Sequence, residues 1–82
     1  MNQKEFIEQI EHERIKSHSF SLYEIKDDAL ILDKEGYRWV VYYIERGQQS
    51  GKKSFRTESE ALEYMLGALT RSQTSRQEPR GY

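Results

Sequence analysis

At 82 residues the chain has room for one domain and too little for two, and a domain of this size buries only roughly 60–65% of the surface its unfolded chain exposes. Charged residues make up 33% against 35% apolar, and there is no cysteine, which excludes disulfides and thiolate metal sites and fits a reducing cytoplasm. The net charge of −1 is unevenly divided: residues 1–36 carry −4 and residues 37–82 carry +3, enough to steer a charged partner but well short of a strongly basic nucleic-acid-binding domain.

The first predicted element is a helix from Gln3 to about Lys16. Asn2 caps it, with Glu5 placed to reach back to the cap's amide. Phe6, Ile7 and Ile10 form its apolar stripe with Ile15 at the edge, while Glu8, Glu11 and Glu13 form a solvated face. Met1 to Glu5 lacks the basic-then-apolar pattern of a signal peptide, and no apolar run approaches membrane length, so a cytoplasmic protein with no membrane contact is expected.

Two short strands follow, Phe20–Ile25 and Ala29–Leu32, separated by a turn at Lys26-Asp27-Asp28 and closed by Asp33-Lys34-Glu35-Gly36. The strongest strand is Tyr37–Arg46, rich in Val, Ile, Tyr and Trp. Gly47-Gln48-Gln49-Ser50-Gly51 then reads as a glycine-bounded loop, longer than a two-residue turn, and Lys52–Arg56 returns to complete an antiparallel hairpin. Thr57 and Glu60 form the capping box of a second helix, whose face of Ala61, Leu62, Met65, Leu66, Ala68 and Leu69 packs on the sheet. The expected architecture is α+β: an N-terminal helix, an antiparallel sheet of about three to four strands with a central hairpin, and a C-terminal helix on the sheet. Residues 1–70 form the domain and 71–82 a polar, flexible tail.

The residue types needed for chemistry do not converge. His12 and His18 stand at no metal-ligand spacing, and Glu8, Glu11 and His12 read as scattered surface charge. There is no nucleophile elbow, Asp27-Asp28 is explained by turn chemistry, and the glycines at 47 and 51 lack the spacing of a phosphate-binding loop. No catalytic residue, metal ligand or cofactor is therefore assigned.

Binding surfaces are better represented. If Trp39, Val41 and Tyr43 face the helices, Tyr42 either lies exposed on the other face between Arg38, Ile44 and Arg46, with Tyr and Arg enriched at interaction hot spots, or is covered by the first helix. Arg46, Lys52, Lys53 and Arg56 add a basic group with no acid between them. The candidate partner-binding set is Arg38, Tyr42, Ile44, Arg46, Lys52 and Lys53.

The run Trp39-Val40-Val41-Tyr42-Tyr43-Ile44-Glu45-Arg46-Gly47, followed by Gly51, Phe55, Thr57-Glu58 and Glu60-Ala61, resembles the immunity protein 59 family of bacterial polymorphic-toxin systems. The resemblance covers roughly residues 37–69, and Phe20–Tyr23 after a short helix is compatible with it. It implies a small cytoplasmic protein that binds and neutralises a cognate toxin, with no catalytic residues to carry over; monomer and homodimer both stay open, since an exposed edge strand would permit dimerisation. A second reading is a DNA-binding domain. A three-stranded sheet, a Gly-Lys-Lys turn and Phe-x-Thr-x-x-Glu-Ala at the helix start are similar to the arm-type domains of phage integrases, which place a sheet in the major groove.

Overall fold

A computed structural model describes residues 1–71; of the tail expected over 71–82, Arg71 ends the C-terminal helix and 72–82 lie outside the described residues. The order of elements is helix α1 (Gln3–His12), a short 3-10 turn (Ser17–Ser19), strands β1 (Phe20–Leu22), β2 (Ala29–Glu35), β3 (Arg38–Glu45) and β4 (Gln48–Phe55), and helix α2 (Glu58–Arg71). The four strands form one mixed sheet in the order β1-β2-β3-β4. The α+β arrangement of helix, sheet and helix is as expected from the sequence.

Local signals account for the helix starts. Asn2 Oδ1 accepts from the Glu5 amide at 2.8 Å while Glu5 Oε1 accepts from the Asn2 amide at 3.0 Å, a complete capping box. At α2 Thr57 Oγ1 accepts from the Glu60 amide at 3.1 Å, and Glu60 reaches back one residue further, to the Arg56 amide at 3.2 Å. The end of α1 departs from expectation. The helix stops at His12 because Arg14 turns left-handed at φ +59, and Ile15 and Arg14 donate their amides to Ile10 and Glu11. This is a Schellman stop, and its hydrophobic contact joins Ile15 to Ile10, both buried in the same cluster.

The main core lies between the sheet and the helices. Phe6, Ile10 and Ile15 meet Leu62, Met65 and Leu69 of α2 and Leu32 and Val41 of the sheet. Ile7, expected in this stripe, is 37% exposed. Phe6 and Phe20 meet edge to face at 5.4 Å, which seats α1 against β1.

The pairing of β1 is the main topological departure. β2, β3 and β4 form an antiparallel meander, but β1 runs parallel to β2, with Phe20 beside Leu30 and Leu22 beside Leu32. Adjacent parallel strands ordinarily need a long crossover. Here six residues, 23–28, suffice because the β1 ladder has only three residue pairs, so the chain backtracks about 10 Å. Tyr23 and Asp28, at φ +67 and +55, reverse the chain at either end of this connection. The Tyr23 amide donates to the Leu32 carbonyl at 2.7 Å, and Asp27 Oδ1 accepts from the Gly47 amide at 3.0 Å. Among the described residues no helix is long and apolar enough to cross a membrane.

Candidate functional site

The hairpin β3–β4 closes more tightly than its glycines imply. Glu45 pairs with Gln48, leaving only Arg46 and Gly47 in the turn, at φ +52 and +79. Two successive positive φ angles make a type I′ turn, whose twist matches that of the flanking strands. The five-residue loop expected over 47–51 is thereby replaced: Arg46 accepts a left-handed backbone, and Gln48 onward joins the ladder. Gly51, at φ +64, supplies a bulge instead. The register moves from Val41–Lys53 to Tyr43–Ser50, so Gly51 and Lys52 together face Tyr42.

β4 is an edge strand paired only to β3, and Gln48 through Ser54 are all exposed. It holds few residues of high strand propensity, so its conformation comes from pairing to β3 and from the turn. The opposite edge, β1, has only three residues.

The structure separates the six residues predicted to bind a partner. Arg38, Arg46, Lys52 and Lys53 are exposed, whereas Tyr42 is 2% and Ile44 is 4% exposed. The expectation that Tyr42 is a surface residue is corrected by the register. Ile31 lies beside Tyr42 and Ala29 beside Ile44, and with Val40 these residues form a second apolar cluster on the face away from the helices. Burial, and after it the charge of Asp33, push the Tyr42 phenol above its ordinary pKa. The sequence did carry a sign of this burial: Ala29-Leu30-Ile31-Leu32 is apolar without alternation, as in a strand covered on both faces. Of the three residues assigned to the helix side, Val41 is fully buried and Trp39 partly so, while Tyr43 is 38% exposed.

The basic residues do not form one surface. Lys52 shares the Tyr42 face, its Nζ 2.6 Å from Glu35 Oε2 and 5.8 Å from the Tyr42 ring centre. Lys53 stands across from Val41 and so projects on the helix side. Arg46 occupies the turn, and Arg38 begins β3 at the far end of the hairpin. Among the described residues Lys53 and the guanidinium groups of Arg38 and Arg56 make no ion pair. An open cleft of about 480 Å³ lies at the C-terminal end of β4, lined by Arg38, Ser54, Phe55, Arg56, Glu60 and Glu63.

A hydrogen-bonded group that sequence spacing does not reveal sits beside the main core. The Tyr23 hydroxyl donates to Glu58 Oε2 at 2.5 Å and accepts from Trp39 Nε1 at 3.1 Å, and Gln3 Nε2 donates to the same Glu58 oxygen at 2.9 Å. Burial, then the hydrogen bond to Glu58, push the Tyr23 phenol up to about 12. Lys34 Nζ lies 4.9 Å from the Trp39 ring centre, completing the surroundings of the indole. These residues come from α1, β2, β3, α2 and the crossover, so the group ties elements together.

Glu8, Glu11 and His12 are exposed on α1, and among the described residues no group of three or more His, Asp or Glu side chains is placed to hold a metal ion. Comparison of the chain with protein-family models, curated proteins and solved structures finds no match.

Proposed function

We propose that this chain is a protein-binding module that acts as an immunity protein, binding a cognate bacterial toxin in the cytoplasm and blocking it by contact. The observation that carries the binding reading is β4: a full-length edge strand, exposed from Gln48 to Ser54 and joined by an I′ turn to a largely buried partner strand. The toxin reading rests on the resemblance of Trp39–Gly47 and Gly51–Ala61 to the immunity protein 59 family. The sheet face turned away from the helices is floored by Ala29, Ile31, Val40, Tyr42 and Ile44, with Asp33 and Glu35 beside them and Lys52 paired to Glu35. That surface suits phosphate backbones poorly, so the integrase-like reading is not preferred.

The test is co-expression with the C-terminal domain encoded by the reading frame adjacent to this gene. Rescue of growth, together with co-purification of the two chains, is the expected result. Growth arrest that persists despite a soluble, folded chain would sink the proposal.

A further inference from the structure

We propose that the free edge of β4 takes up an extended strand of its partner, and that this strand carries a carboxylate opposite Lys53. The inference deepens the binding reading above and rests on it.

An unpaired edge presents a row of backbone N–H and C=O groups that an incoming strand completes, while side chains decide which strand is accepted. About every second one of the eight residues of β4 turns these groups outward, the others bonding β3, with the bulge at Gly51 and Lys52 interrupting the row, and the small side chains at Ser50, Gly51 and Ser54 leave the backbone open to approach. Its two lysines differ in availability. Lys52 is held by Glu35 on the Tyr42 face, whereas Lys53 projects on the helix side with no ion pair among the described residues. A residue added opposite Lys53 becomes its cross-strand neighbour, where an opposite charge is favoured and a like charge repelled. Just past the end of β4, Arg56 lines an open cleft together with Arg38 of β3. Glu60 and Glu63 line the same cleft, Glu60 accepting from the Arg56 amide and Glu63 lying 3.6 Å from the N-terminal ammonium, so Lys53 is the cation on which the selection rests.

The same chemistry disfavours a second copy of this chain as the occupant. Gln48–Phe55 contains no acid, so pairing β4 with β4 brings lysines together without giving Lys53 a counter-charge. Edge lysines commonly block self-association. Here they select an acidic strand over a neutral or basic one.

The probe is a capped peptide of β4's length alternating threonine and glutamate, compared with its lysine-for-glutamate counterpart, titrated into the isotope-labelled full chain. The glutamate peptide is expected to shift the amide signals of Gln48–Phe55 and to slow exchange of the outward-facing amides, while the lysine peptide does neither. Lys53→Glu should weaken binding about tenfold, and Lys4→Glu on the outer face of α1 should leave it unchanged. If Lys53→Glu perturbs folding, Lys53→Gln replaces it, with a smaller loss in the same direction. Shifts centred on Tyr42 and Ile31, equal binding of both peptides, or no binding of either would overturn the proposal. Toxin rescue without peptide binding removes the edge alone; peptide binding without rescue removes the toxin reading alone.

Discussion

Tyr23 shows how one residue can bear several constraints. Its left-handed backbone is unfavourable for an aromatic residue, at a cost on the order of 1 kcal/mol or more. The hydroxyl offsets this by joining Glu58 and Trp39. Tyr23→Phe keeps the ring and the backbone but leaves Trp39 Nε1 without its acceptor, so a loss of about 1 kcal/mol is expected at neutral pH. The pH dependence has a definite sign. The fold favours the neutral phenol, raising its pKa from 10.0 to about 12, so the contribution is complete below pH 10 and lost between pH 10 and 12. Urea midpoints measured across that range should fall more steeply for the parent chain than for Tyr23→Phe. Parallel curves would show that the hydroxyl contributes nothing specific to the folded state.

At the scale of elements, the stops are as informative as the starts. α1 ends in a Schellman motif with Arg14 at the position glycine ordinarily takes, held there by the burial of Ile15 against Ile10. Arg14→Gly removes the left-handed penalty, and part of that gain is offset by the greater freedom of glycine in the unfolded chain. The expected net effect is a stabilisation of about 0.5–1 kcal/mol, visible as a rise of several degrees in Tm. A fall in Tm would mean that the Arg14 side chain supports the helix end. The same logic explains the hairpin: Arg46 at φ +52 lets two residues turn the chain, and Gly51 at φ +64 takes the bulge. Both strand ends are thus set by backbone conformation rather than by loop length.

The whole molecule is organised by a sheet whose central strands are buried on both faces, although both helices pack on one. Leu32 and Val41 serve the helix side, while Ile31, Val40 and Tyr42 form the second cluster. Tyr42 is therefore part of the structure rather than an exposed contact. Tyr42→Ala should cost about 3 kcal/mol, as truncation of a core aromatic does, a large share of the stability of a chain this small. Tyr42→Phe should cost much less. Chemical denaturation of the two variants separates the cases, and a Tyr42→Ala chain as stable as the parent would return Tyr42 to the surface. Binding experiments consequently belong on Lys53 and Arg56, which can be changed without opening a core.

Much of this architecture is legible in short stretches of chain. Asn2 with Glu5 and Thr57 with Glu60 mark the two helix starts, and the β-branched and aromatic run after Gly36 marks β3, because capping and strand preference depend on neighbouring residues. The α+β class follows from their order. Other features depend on contacts remote in sequence: the parallel pairing of β1, the two-residue turn, the separation of Lys52 from Lys53, and the Tyr23 group drawn from five segments. The assignment of faces is of this second kind. Alternation along β3 divides its side chains into two sets, but which set is buried depends on the residues that β2 brings beside it. Because Ile31 and Ala29 stand against Tyr42 and Ile44, both sets are covered, and the available surface of the hairpin moves from its face to its edge.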